Sequence, residues 1–124
     1  MQLLDTNIFI DYLREYGPSI DFFKEIKNSD IIFSAITETE IITGKICNDK
    51  SKKEIILGFL SKWKKIEVTN PIAIIAGDIC RNKDHIETAD AIIAATAIFH
   101  GAELLTKNVK HFREIEGLKA RVPY

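Results

Sequence analysis

The chain has 124 residues and a formal net charge of −1, with 46% hydrophobic and 28% charged side chains. That length supports one domain over residues 1–124, with a single real core, and is too short for two. A charge so close to zero gives no strong field of either sign, which argues against a protein that merely coats nucleic acid. Attraction for a polyanion has to come from a local basic patch, and any carboxylate cluster has to be neutralised by a cation.

Short apolar runs alternate with longer segments at helical spacing. Gln2–Leu4 reads as the first strand, and Ile8, Tyr12 and Leu13 as a helical stripe behind it. A second stripe, Ile20, Phe23 and Ile26, follows Gly17-Pro18. The next strand is Ile31–Ser34, then a stripe of Ile41, Ile42 and Ile46 and another of Ile55, Ile56, Phe59, Leu60 and Trp63. A strand is predicted at Ile66–Val68, after which Pro71 is well placed to open a helix through Ile72, Ile75 and Ile79. The segment Ala91–Phe99 is apolar nearly all round, so its helix should be buried on most faces. Gly101 sits where a helix C-cap belongs, just before a strand at Glu103–Thr106, and a weaker strand is expected at Ala120–Val122. The pattern is an α/β fold with a mainly parallel, doubly wound sheet of four to five strands. In such sheets ligands bind beyond the carboxyl ends of the strands.

Cys47 and Cys80 stand alone in apolar helical patterns, without metal-ligand spacing, and read as small buried hydrophobes in a reducing compartment. The N-terminus reaches Asp5 almost at once, which leaves no room for a signal peptide. The longest apolar stretch, Ala89–Phe99, carries Asp90 and is too short to span a bilayer. A soluble, cytoplasmic protein with no membrane partner is expected.

Three acids fall where helices are expected to begin. Asp5 follows the first strand, Glu40 lies after the second, and Asp90 opens the apolar helix. Each has a structural explanation: Thr37 to Glu40 matches the S/T-x-x-E capping box, Asp5 suits an N-cap, and Asp90 suits a helix dipole. Parallel strands would nevertheless bring all three to one edge of the sheet. Two carboxylates about 4 Å apart repel by roughly 4 kcal/mol at an effective dielectric of about 20, a cost that calls for a cation. Oxygen-only ligands suit Mg2+ or Mn2+ rather than zinc or copper. Such an ion binds a phosphate, lowers the pKa of a bound water and steadies a leaving oxygen. Thr6 and Asn7 suit either ligand orientation or ordinary turn and cap hydrogen bonding.

Four stretches carry a resemblance: Leu3-Leu4-Asp5-Thr6-Asn7, Ser34 through Glu40-Ile41 with Gly44, Asp90 through Ala97, and Leu105-Thr106-Lys107-Asn108-Val109-Lys110-His111-Phe112. In this order and spacing the sequence resembles the PIN-domain nucleases, and within them the VapC-like toxins of prokaryotic toxin–antitoxin pairs. The resemblance implies a parallel sheet with helices on both faces and an acidic pocket holding Mg2+ or Mn2+. It also implies hydrolysis of RNA phosphodiesters by activated water, inhibition by a cognate antitoxin protein, and a homodimer. Asp5, Glu40 and Asp90 take the catalytic and metal-site roles, with Thr6, Asn7, Thr106 and Asn108 in support. Related sequences often place a further acid at position 108 or 111; here those positions are Asn108 and His111, which favours one metal ion over two.

Lys107, Lys110, His111 and Arg113 cluster just after the last main strand and are candidates for contacts to the RNA backbone. Trp63 is expected in the core, with Lys62, Lys64 and Lys65 in solvent. His85 and His100 have no ligand-spaced partners. Ile8, Phe9, Tyr12, Leu13, Phe22 and Phe23 exceed what one helix face must bury, so part of that surface suits an antitoxin peptide or a second subunit. Two other functions fit parts of the pattern. A non-catalytic PIN module binding RNA or a protein partner would explain the missing fourth acid. A magnesium-dependent phosphatase with Asp5 as nucleophile would need a second Asp at position 7, which is Asn.

Overall fold

A computed structural model describes every residue from Met1 to Tyr124. The elements in chain order are β1 (Gln2–Leu4), α1 (Thr6–Leu13), α2 (Gly17–Glu25), β2 (Ile31–Ser34), α3 (Ala35–Ile42) and α4 (Lys50–Leu60), then β3 (Lys64–Ile66), α5 (Asn70–Asn82), α6 (Thr88–His100), β4 (Glu103–Leu105), α7 (Val109–Phe112) and β5 (Ala120–Arg121). The strands form one sheet in the order β3-β2-β1-β4-β5, with every pairing parallel. The chain first builds outward from β1 to β3 and then returns to the other side of β1 for β4 and β5. The switch point therefore lies between the carboxyl ends of β1 and β4, where open α/β sheets place their ligands.

Alternation along the strands divides the core in two. Leu3, Ile32, Ile66 and Leu104 face one layer, packed against Ile72, Ala76 and Ile79 of α5 and the small residues of α6. Leu4, Ile31, Phe33 and Leu105 face the other, packed against Ile8, Phe9, Ile56, Leu60 and Trp63. Burial on both faces explains why these strands are apolar at successive positions rather than alternating with polar residues. Alanines at 91, 94, 95 and 97 are fully buried and let α6 lie close to its neighbours, while Phe99 at its end is half-exposed. The helix ends on Gly101 at φ 62°, the left-handed cap that glycine adopts without steric cost. No helix is long and apolar enough to cross a membrane.

Several local expectations are corrected. The third strand runs Lys64–Ile66 rather than Ile66–Val68, because β2 ends at Ser34 and its register pairs Ser34 with Ile66. Val68 lies beyond that pairing and is exposed. The two lysines mark β3 as an edge strand, where charge discourages further pairing. Helix α3 starts directly after β2, with Ser34 Oγ accepting from the Ile36 amide at 3.2 Å. Thr37 is therefore inside the helix, and the capping box expected from Thr37 to Glu40 does not form. Ile46 leaves the helical stripe for a 3-10 turn and is exposed. Cys47 and Cys80 are half-buried rather than buried.

Phe9 is fully buried, with its ring 5.4 Å from both Phe33 and Trp63. Phe9→Ala should lower unfolding free energy by about 3–5 kcal/mol in urea melts. Ile55→Ser, at a position 70% exposed, should change it by no more than about 0.5 kcal/mol.

Candidate active site

The end of β1 delivers Asp5 to the switch point, and it is only 5% exposed. Its amide donates to the Leu105 carbonyl at 3.0 Å, locking it to the end of β4. Both carboxylate oxygens are held: Oδ1 accepts from the Thr6 amide at 2.8 Å and Oδ2 from Thr106 Oγ1 at 2.8 Å. Asp5 is thus the N-cap of α1 as well as the acid at the cleft floor. Burial pushes its pKa above the ordinary 3.8, opposed by the two hydrogen bonds and reinforced by the negative charges of Asp90 and Glu40. The charge of each distant acid is therefore felt at Asp5.

Glu40 lies one turn further into α3 than the sequence suggests, and that turn aims it across to α1. Its Oε1 accepts from Thr6 Oγ1 at 2.7 Å. The Thr6 hydroxyl also lies 2.9 Å from Thr37 Oγ1. Since the single Thr6 proton goes to Glu40, Thr37 donates to Thr6, and the chain runs Thr37 to Thr6 to Glu40. Thr37 is fully buried and was missed as a site residue; its three-residue spacing from Glu40, which puts both on one helix face, was the available signal. Asp90 stands in the first turn of α6, where the helix dipole favours its charge. Its Oδ2 lies 2.8 Å from His111 Nε2. The structure thus gives His111 a carboxylate partner, and brings the exposed His85 ring to 5.6 Å from it.

Asp5, Glu40 and Asp90 line one cleft of about 410 Å³, together with Thr6, Asn7, Asn108 and His111. No lysine or arginine pairs with any of the three acids; the only cationic candidate among them is His111 at Asp90. No set of three His, Cys, Asp or Glu side chains is arranged as a ready-made cage for an ion. The donors are nonetheless all oxygens: Asp90 Oδ1 and Glu40 Oε2 carry no hydrogen bond, and each Asp5 oxygen has a lone pair to spare. Hard divalent cations prefer such donors.

Thr106 and Asn108 flank this floor. Thr106 Oγ1 accepts from the Asn108 amide at 3.0 Å while it donates to Asp5. Asn108 also lines a second groove of about 460 Å³ with Lys110, Arg113 and Arg121, so the acid cleft and the basic groove adjoin. Lys107 lines the same groove and, like Arg121 at Glu103, is paired, with its ammonium 3.3 Å from Asp11 Oδ2 and 4.5 Å from the centre of the Tyr16 ring. On the opposite side of the cleft, an apolar groove of about 520 Å³ runs past Leu13, Ile41, Ile46 and Ile55, sharing Ile10, Glu40 and Thr43 with the acid cleft. Of the apolar surplus on α1 and α2, Ile8 and Phe9 are core, while Tyr12, Leu13, Phe22 and Phe23 are half-buried.

Comparison with known proteins bears on the same residues. The sequence model of the PIN domain matches residues 3–118. Ribonuclease VapC19 of Mycobacterium tuberculosis is 35% identical over 118 residues, covering 90% of this chain and 92% of its own. Ribonuclease VapC1 of Rickettsia felis is 37% identical over 95 residues, covering 69% of this chain and 71% of its own. Among solved structures, a toxin–antitoxin complex from Klebsiella pneumoniae superposes with a TM-score of 0.84 at 28% identity, over 100% of this chain and 98% of that one. FitAcB from Neisseria gonorrhoeae superposes with a TM-score of 0.80 at 27% identity, over 99% and 98% of the two chains. The matched span takes in Asp5, Glu40 and Asp90 together with strands β2 to β4, and the chain belongs to the PIN-domain family, in its VapC-like group.

Proposed function

We propose that the protein is a Mg2+- or Mn2+-dependent endoribonuclease and the toxin of a type II toxin–antitoxin pair. One observation carries this: three acids from distant parts of the chain line one cleft at the sheet switch point, with no lysine or arginine to neutralise them. Asp5, Glu40 and Asp90 would hold a divalent ion there, which would supply positive charge to a scissile phosphate and lower the pKa of water for in-line attack. Thr106 and the Thr6 amide keep the Asp5 carboxylate aimed, and the Thr37–Thr6 pair does the same for Glu40. Asn7 and Asn108, on the rim, offer amide hydrogens to phosphate or ribose oxygens. Lys110 and Arg113 offer backbone contacts along the adjoining groove, as does His111 beside Asp90.

The ribonucleases VapC19 and VapC1, and the toxin–antitoxin complex, supply the RNA substrate and the antitoxin protein by similarity. The apolar groove suits a segment of that antitoxin, because an occupant lying against Ile10 and Thr43 also reaches the wall of the acid cleft. A homodimer and a cytoplasmic location complete the proposal. A second reading, a non-catalytic PIN module that binds RNA or a protein partner, is favoured by the contact of His111 with Asp90 and by Asn108 in place of an acid.

Mn2+ titration and cleavage of a single-stranded RNA separate the two. At tenfold excess over its dissociation constant, Mn2+ should stabilise the wild-type protein by about 1.4 kcal/mol, a rise of about 4–6 °C in melting temperature. Asp5→Asn should abolish that rise and slow cleavage by about a hundredfold or more. Metal binding with no RNA cleavage would support the binding module, and cleavage that survives Asp5→Asn would dismiss the acid cleft as its source.

A pH dependence follows from Asp5. Its folded-state pKa is raised, so the folded protein favours protonated Asp5; that contribution is full below the ordinary 3.8 and is lost as pH rises through the raised value. Metal-free Asp5→Asn should therefore melt above wild type at pH 7.5, with the gap closing as pH falls toward 4. A lower melting temperature for Asp5→Asn at pH 7.5 would show that the cap hydrogen bond outweighs the buried charge.

A further inference from the structure

Lys107 stands between two residues of the cleft, Thr106 and Asn108, yet its side chain is turned away into a box built by three other parts of the chain. Its ammonium meets Asp11 Oδ2 of α1 at 3.3 Å. The same oxygen accepts from the Tyr124 hydroxyl at 2.7 Å. The ammonium also lies over two rings, 4.5 Å from the centre of Tyr16 and 5.2 Å from that of Tyr124. Tyr124 in turn packs 5.8 Å from Phe22 of α2. A lone surface ion pair contributes little. A cation paired with a partly buried carboxylate and faced by two aromatic rings is held more firmly. The box therefore ties the loop after β4 to α1 and α2.

We propose that Asp11, Lys107 and Tyr124 form a clasp that positions the Thr106–Asn108 loop, keeping the Thr106 hydroxyl on Asp5 and the Asn108 side chain in the cleft. This rests on the ribonuclease proposal for its catalytic consequence, and assigns the three residues positioning roles, since none of them touches the acids. It also gives Lys107 a role different from the RNA contact expected from its charge. The mechanical link is short: the Thr106 amide donates to the Arg121 carbonyl at 3.0 Å, the Asn108 amide donates to Thr106 Oγ1 at 3.0 Å, and Lys107 is the residue between them.

The Asn108 amide is a direct reporter, because its hydrogen-bond acceptor is the hydroxyl that orients Asp5. Asp11→Asn, Tyr124→Phe and Lys107→Met are to be compared with wild type by amide hydrogen exchange, Mn2+ titration and RNA cleavage. In each variant, exchange at Asn108 should accelerate about tenfold while α6 amides keep their protection. Mn2+ affinity should fall about tenfold, as when the partner of a metal-ligating carboxylate is lost. The turnover number should fall while KM and the salt dependence of binding stay unchanged. Unchanged Asn108 exchange in all three variants overturns the clasp, as does faster exchange with unaltered Mn2+ affinity and turnover. If Lys107→Met instead raises KM and lowers the salt slope by about one, with Asn108 exchange unchanged, Lys107 is an RNA contact. The exchange and Mn2+ measurements need no cleavage, so a wild-type protein inert toward RNA would sink the ribonuclease proposal and leave the clasp to be judged by those two.

Discussion

The hydrogen bond from Thr106 to Asp5 joins the carboxyl ends of two parallel strands that are neighbours in space and 101 positions apart in sequence. Parallel pairing of β1 with β4 puts Asp5 and Thr106 side by side, and the backbone bond from Asp5 to Leu105 fixes their separation. From that junction the rest of the cleft is reached by short steps. Thr6, next in sequence, carries the line to Glu40 and Thr37 on α3, and Asn108, two residues after Thr106, carries it to the basic groove. The apolar layers on the two faces of the sheet hold these strands in register; the polar chain at their ends orients what they present.

A buried acid among other acids is a poor choice for stability alone. Asp5 is desolvated, and Glu40 and Asp90 raise its pKa further. A cap for α1 does not require this, because serine, threonine or asparagine satisfies the same amide without charge. Dense hydrogen bonding offsets part of the cost and leaves the charge itself uncompensated within the protein, apart from His111 at Asp90. The arrangement makes sense where a cation completes it.

The strands and the apolar helix were readable because burial on two faces, or on all faces, leaves dense apolar runs. Leu3-Leu4, Ile31-Ile32-Phe33 and Ala91 to Ala97 show this directly. Gly101 was readable because its backbone angle is one that glycine favours. Boundaries set by pairing were harder: β3 ends at Ile66 because β2 ends at Ser34 opposite it, which no local pattern in Lys64-Lys65-Ile66 records. The three acids could be singled out because each follows a strand or opens a helix, and parallel strands bring such positions to one edge of the sheet; that Glu40 sits a turn inside α3 was not readable. The partners of those acids could not. Thr37 reads as a helix cap until Ser34 is seen to fill that role, and the distant assembly of Asp11, Tyr16 and Tyr124 around Lys107 leaves no trace in spacing.

The separation of β1 from β4 also bears on synthesis. A ribosome that has released the chain through β3 has made Asp5 and Glu40, but neither Asp90 nor the strand that seats Asp5 exists yet. Contacts between distant segments form late, after the loop between them can close. A growing polypeptide thus carries an unfinished cleft, and completes it only when β4 has emerged and docked beside β1.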